Sequence, residues 1–185
     1  MSKDRRQVIF MIRKAEYSDL DAVERIYEEL HDAEENNAIT VGWKRGVYPV
    51  RATAAEALKR NDLFVVEENG EVLGAGIINQ IQVDVYEGAP WDYETGDDRV
   101  LVLHTLVISP RSAAKGLGRG FVGFYEEYAA THDCTELRLD TNEKNHVARK
   151  MYRDLGYKEI AIVPTTFNGI EDVGLVLLEK RIGPH

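Results

Sequence analysis

One short stretch combines small residues and cations in a pattern that could hold an anion. It reads Ala113-Ala114-Lys115-Gly116-Leu117-Gly118-Arg119-Gly120. It follows the uncharged apolar run Val100–Ile108 and opens a stretch with Leu117, Phe121, Phe124 and Tyr128 at helical spacing. The first N–H groups of a helix have no internal partners, and the helix dipole places partial positive charge there. Small residues let a phosphate approach that backbone closely. A single dipole contact is worth only ~0.3–1 kcal/mol when exposed, so several N–H groups must converge. From Arg99 to Tyr125 there is no Asp or Glu, whereas Arg99, Arg111, Lys115 and Arg119 all fall in that window. These cations add long-range attraction for an anion. The stretch reads as a phosphate cradle, with a glycine-rich turn before a helix as the purely structural alternative. It is not a Walker loop, which needs Gly-x4-Gly-Lys-Ser/Thr. It is not a dinucleotide fingerprint either, because Phe121 stands where the third glycine is required.

The elements that must position this cradle follow from periodicity. Val8–Arg13 reads as a first strand, and Ser18 can cap a helix over about Asp19–Asp32. Thr53 and Glu56 have capping-box spacing and would start a second, short helix. Leu63–Glu67 and Val72–Val83 flank Asn69-Gly70, which suits a type I′ hairpin turn. Val100–Ile108 is a strong strand, Gly116–Thr131 a helix, and Leu137–Asp140 a short strand. Ala148, Met151, Tyr152 and Leu155 form the stripe of a helix that Gly156 can terminate. Ile160–Val163 and Val173–Leu178 close the chain as a hairpin. This order implies an α/β protein of the α+β type, with a mixed sheet and helices on its faces.

Composition removes several function classes. The 185 residues carry 23 Lys and Arg against 32 Asp and Glu, a formal charge of −9. Such a surface is unsuited to nucleic-acid phosphates or an anionic membrane. The apolar run Val8–Ile12 is too short for a secretory segment or a spanning helix. Cys134 is the only cysteine, so no intrachain disulfide and no Cys-rich metal cluster can form. The expectation is a cytoplasmic protein in which residues 1–185 form a single domain without a metal.

At these positions the sequence resembles the GNAT superfamily of N-acetyltransferases. That family's phosphate loop reads Arg/Gln-x-x-Gly-x-Gly/Ala after a strand ending in a Val-x-Pro-like step. Here Leu106-Val107-Ile108-Ser109-Pro110 precedes the loop, and Gly116 and Gly118 match its glycines. Ala113 stands where Arg or Gln is usual, and Ala114 where Gly often follows, leaving Arg111 or Lys115 to supply the missing charge. The family's second block is a strand followed by Asn-x-x-Ala-x-x-x-Tyr-x-x-x-Gly-Phe. Asn145, Ala148, Tyr152 and Gly156 fall in that register, with Tyr157 in place of Phe. The two blocks together cover about Val100–Tyr157.

The resemblance implies a mostly antiparallel sheet with helices on both faces and two strands splayed at a coenzyme A site. It implies acetyl-CoA as co-substrate and a primary amine, small molecule or peptide, as acceptor, with a homodimer as the family's common habit. The backbone of Leu106, Val107 and Ile108 should pair with the pantetheine arm. The backbone from Ala113 through Ala114, Lys115, Gly116, Leu117 and Gly118 to Arg119 should hold the pyrophosphate. Asn145 should lie near the pantetheine or cap its helix. Tyr152 would protonate the departing thiolate, an uphill transfer from a phenol near pKa 10 to a thiol near 8.5. A Lys-like amine costs about 4.6 kcal/mol to deprotonate at pH 7, within the ~7–11 kcal/mol that positioning can supply. His104, two residues before Leu106, is the expected general base, with a sheet-face histidine as the bland alternative. His31, His132, His146 and His185 lack that context and read as surface residues.

Cys134 precedes its strand and suits a covalent acetyl carrier poorly, so direct attack in a ternary complex is expected. Asp84 to Asp98 holds six acids interleaved with Tyr86, Trp91 and Tyr93 and no Lys or Arg. It reads either as an acceptor wall that attracts a cationic amine or as a solvated loop with its aromatics against the core. Trp43, Tyr48 and Pro49 could form the opposite wall. Two other readings stay open: a non-catalytic acyl-CoA-binding module, which needs no acid at Tyr152, and a different acyl donor.

Overall fold

Apolar runs buried on both faces assemble a single sheet. A computed structural model describes residues 9–183; Val8 and His185 lie outside them. In chain order the strands are β1 (Met11–Lys14), β2 (Leu63–Glu68), β3 (Glu71–Asn79), β4 (Val100–Ile108), β5 (Glu136–Asn142), β6 (Lys158–Phe167) and β7 (Ile170–Arg181). The helices are α1 (Leu20–Glu35), α2 (Arg51–Lys59), α3 (Leu117–Thr131) and α4 (His146–Asp154). The sheet order is β1-β2-β3-β4-β5-β7-β6. Only β4 and β5 run parallel; the other neighbours are antiparallel. Asn69 and Gly70 both take positive φ between β2 and β3, as a type I′ turn requires, and Asn168 and Gly169 do the same between β6 and β7.

One face of the sheet is covered by α1, whose Val23, Ile26 and Tyr27 pack on Leu63, Val65, Ile77 and Val107. The other face carries α3 and α4, with Phe121, Val122, Tyr125 and Tyr152 against Phe64, Val66, Leu103 and Leu139. Full burial of each such side chain is worth about 1.5–3 kcal/mol. The seat of α3 depends on a glycine, because a Cβ on Gly76 would lie 2.5 Å from the Phe121 ring. Gly76→Ala should therefore destabilise the protein by about 1–3 kcal/mol, lowering the thermal midpoint by several degrees. A melting curve checks this; an unchanged midpoint would mean that the sheet and α3 separate freely there.

Several expected ends shift. Ser18 does not cap α1: a 3₁₀ turn over Tyr17–Asp19 precedes it, and Asp19 accepts from the Glu16 N–H at 2.7 Å while Arg13 grips the same carboxylate. A charged acceptor held by an arginine outcompetes a hydroxyl there. Thr53 does not start α2, because its Oγ1 accepts from the Val50 N–H at 3.1 Å and the helix begins at Arg51. The strand expected over Val72–Val83 ends at Asn79, and the one expected to end at Asp140 continues to Asn142.

Candidate active site

The site originates where β4 and β5 part. Their ladder pairs Val100–Leu103 with Glu136–Leu139 and stops. Beyond it β4 stays paired only to β3, out to Ile108, and β5 only to β7, out to Asn142. A β-bulge accompanies the parting: Ala75 faces Val107 and Ile77 faces His104, so Thr105 and Leu106 together oppose Gly76. Thr105 takes φ +49°, a conformation that costs a β-branched residue about 1–3 kcal/mol. The Tyr48 hydroxyl hydrogen-bonds Thr105 Oγ1 and helps hold it. The extra residue reverses the strand's in–out alternation. Leu101, Leu103, Leu106 and Ile108 all pack toward α3 and α4, whereas Val107 packs toward α1.

A cavity of about 620 Å³ fills the parting. Leu106, Val107 and Ile108 line one side, Asp140, Thr141 and Asn142 the other. Ala113, Gly118, Asn145, Ala148 and Tyr152 also line it, as do Trp43, Tyr48, Val83 and Phe167.

The cradle takes shape through Ala114 at φ +65° and Gly116 at φ +78°, the residue capping α3. Gly120 N–H is the first to bond back into the helix, to Gly116 O at 2.9 Å. The N–H groups of Leu117, Gly118 and Arg119 therefore remain available at the helix start. Ala113 and Gly118 line the cavity; Ala114, Lys115, Gly116 and Arg119 do not, and the Leu117 side chain is core. The cations are engaged by the chain's own acids: Lys115 with Glu68 at 2.9 Å, Arg111 with Glu29 at 3.0 Å, Arg119 with Asp154 at 3.0 Å. Such pairs at the surface are worth ~0–1 kcal/mol, little enough for a phosphate to displace an acid.

Asn145 caps its helix and also faces the cavity. Its Oδ1 caps α4 by accepting from Ala148 N–H at 3.1 Å, and the residue lines the cavity. Tyr152 is nearly inaccessible, lines the cavity, and its hydroxyl has no partner among the described residues. Burial, then the nearby Asp140 carboxylate, push its pKa up, so the phenol keeps its proton.

Asp140 was not among the residues singled out from sequence. Its Oδ2 accepts from the Tyr86 hydroxyl at 2.7 Å. Burial pushes its pKa up to about 6, against the lowering effect of that hydrogen bond. The available signal was a charge at every second residue, Glu136, Arg138 and Asp140, alternating with Leu137 and Leu139.

His104 also lines the cavity, but it does not titrate near neutrality. Burial pushes it down to about 4. Its Nε2 lies 2.8 Å from Asn79 Oδ1, which also accepts from Ile81 N–H, while Asn79 Nδ2 donates to Asp62. The oxygen of Asn79 therefore faces the ring, which places the imidazole proton on Nε2.

The model of the acetyltransferase (GNAT) family matches residues 23–157. The chain belongs to this family. Two curated relatives are similar. One is an N-acetyltransferase of Bacillus subtilis, YhfO, 28% identical over 52% of this chain and 58% of its own length. The other is an N-acetyltransferase of Methanocaldococcus jannaschii, 25% identical over 92% of each. Both carry the description uncharacterized. Among solved structures, a GNAT acetyltransferase from Streptococcus agalactiae superposes with a TM-score of 0.78 at 24% identity, over 94% of this chain and 96% of that one. YncA of Salmonella typhimurium, solved with acetyl-CoA, superposes with a TM-score of 0.68 at 17% identity, over 96% of each chain. The seven-stranded mixed sheet is the GNAT fold, and the chain is an acyltransferase by family.

Other expectations change in this GNAT protein. Of Asp84–Asp98, the acid-rich segment, no residue lines the cavity; the neighbouring Val83 does. Its aromatics are satisfied internally: Arg138 stacks over Trp91 at 4.1 Å, Arg181 over Tyr93 at 4.3 Å, and Tyr86 holds Asp140. Trp43 and Tyr48 do form a cavity wall, whereas Pro49 instead accepts a hydrogen bond from His31 Nε2 at 2.9 Å. His31 is thus buried rather than a surface residue; His132 and His146 are exposed. Among the described residues no helix is long and apolar enough to cross a membrane, and no three His, Cys, Asp or Glu converge as metal ligands.

Proposed function

We propose that this chain acetylates a primary amine with acetyl-CoA as donor, by direct attack within a ternary complex. The observation that carries the reading is one cavity that joins the start of α3, the parting of β4 and β5, Tyr152 and Asp140. The residues fit the donor. The free N–H groups of Leu117, Gly118 and Arg119, with Ala113, Ala114 and Gly116 shaping the loop and Arg111, Lys115 and Arg119 flanking it, suit a diphosphate. The unpaired edges of Leu106–Ile108 suit the amides of pantetheine, and Asn145 adds a side-chain amide beside them. The acetyl-CoA in the Salmonella relative supports the same choice.

When bound, acetyl-CoA supplies the thioester carbon to be attacked. Asp140, rather than His104, is the base: its carboxylate pairs with the incoming ammonium and takes its proton. The amine nitrogen loses a second proton as the amide forms. One of the two protons goes to solvent and one ends on sulfur, where the Tyr152 hydroxyl is placed to donate. A raised phenol pKa makes outright transfer costlier than for free tyrosine, so Tyr152 acts chiefly by hydrogen-bonding the developing thiolate. Cys134 is buried and does not line the cavity, which favours direct transfer over a covalent carrier. The reading is completed by a single domain working in the cytoplasm on a small-molecule or peptide amine, with a homodimer resting on family habit alone.

Release of free thiol from acetyl-CoA in the presence of a panel of amines tests it. Tyr152→Phe should lower kcat about 10-fold while leaving coenzyme A affinity unchanged. An unaltered kcat would remove Tyr152 from the chemistry, and coenzyme A binding without thiol release for any amine would favour a binding module.

A further inference from the structure

Resting on the acetyl-transfer reading, we propose that the acceptor is a small monoamine with an apolar body, carrying neither a carboxylate nor a second cation, whose ammonium group docks on Asp140. Three observations converge on this. First, Asp140 is the only Asp or Glu lining the cavity among the described residues, and no Lys or Arg lines it. An acceptor carboxylate would be buried without a counter-ion, and so would the second ammonium of a polyamine. Second, Ile39, Val41, Trp43, Val83 and Phe167 wall the cavity, apolar surfaces that reward an aliphatic or aromatic body.

Third, the segment between α1 and α2 is tied down as a roof. Glu34 accepts from the N–H groups of Val41 and Gly42 at 2.6 and 3.2 Å. A Cβ on Gly42 would overlap the Asn142 side chain on β5, so the roof rests on the sheet there. On the other side a Cβ on Gly169, in the β6–β7 turn, would lie 3.2 Å from Val47 of the same segment. Both contacts close the ground over which an extended peptide would have to lie. The Tyr48 hydroxyl bond to Thr105 anchors the segment to β4 beneath it.

The test uses the intact chain with acetyl-CoA and matched amines at equal concentration. 2-Phenylethylamine is compared with phenylalanine, hexylamine with 1,6-diaminohexane, and both with a short peptide bearing a free α-amine. The expected result is a kcat/KM at least 100-fold higher for each apolar monoamine than for its charged counterpart or the peptide. 2-Phenylethylamine, and not phenylalanine, should also raise the melting temperature of the chain saturated with coenzyme A. Faster turnover of phenylalanine, diaminohexane or the peptide overturns the inference and leaves acetyl transfer standing. Coenzyme A binding with no turnover of any amine overturns the acetyl-transfer reading itself, and the inference with it.

Discussion

Replacing Asp140 by Asn should reduce kcat by about 10²–10⁴-fold, the usual worth of a positioned general base, while coenzyme A binding stays unchanged. The substitution is nearly isosteric, and the amide oxygen can still accept from the Tyr86 hydroxyl that now bonds Oδ2 at 2.7 Å. What disappears is the carboxylate that takes the proton. The pH profile should show it: the parent rate should fall as pH drops below about 6, where Asp140 protonates, and the variant should lack that limb. His104→Asn should keep the limb, because burial holds that imidazole near 4 and therefore neutral throughout. Stability should move the opposite way from activity. Asp140 has its folded-state pKa raised, so its contribution is fully present below the ordinary carboxylate range and is lost as pH rises through about 6. At pH 7–8 the Asn variant should accordingly be more stable, by about 1–3 kcal/mol, or several degrees in thermal midpoint. A variant that keeps both its rate and the limb near pH 6 would remove Asp140 from the reaction.

The second large effect concerns the cradle. Gly116 stands at φ +78° with open space where a Cβ would go, so the position resists side chains through backbone conformation rather than through a clash. Asn tolerates that left-handed conformation, and Asp is close to it in shape. Gly116→Asn should therefore bind coenzyme A nearly as the parent does. Gly116→Asp sets a negative charge at the helix start that the diphosphate must share, a repulsion of about 2–3 kcal/mol for a partly exposed pair. Calorimetry should show that as a roughly 30- to 150-fold weaker affinity. Equal weakening by Asn and Asp would indicate backbone strain alone. No weakening by Asp would place the diphosphate elsewhere.

What could be read in advance was what neighbouring residues determine. Asn69-Gly70 announced its turn, the stripe from Leu117 to Tyr128 announced α3, and Asn145, Ala148 and Tyr152 announced the helix facing the cradle, all through spacing within a few positions. The bulge in β4 was invisible, because Val100–Ile108 is an unbroken β-branched and Leu-rich run and Thr105 is a poor candidate for positive φ. With the bulge hidden, so was the reversed packing of Leu106 and Ile108; the splaying of two strands came from the family resemblance and not from the residues of the run. Asp140 was passed over because an acid on a strand gains meaning only once that strand loses its neighbour. Whether the aromatics of the acid-rich segment face a ligand or the core stayed open in the sequence, because the guanidinium groups that cover Trp91 and Tyr93 come from Arg138 and Arg181, far along the chain. His31 looked solvent-exposed until the chain beyond α1 folded Pro49 back onto it.

The central claim is that the parting of β4 and β5 seats acetyl-CoA, with its diphosphate on the start of α3. A crystal structure of the chain grown with coenzyme A measures this directly. The account predicts pantetheine density between Leu106–Ile108 and Asp140–Asn142, and diphosphate oxygens within hydrogen-bonding distance of the Leu117, Gly118 and Arg119 N–H groups. Coenzyme A bound on any other face, or the two strands closed together by direct hydrogen bonds beyond Leu103, would contradict it.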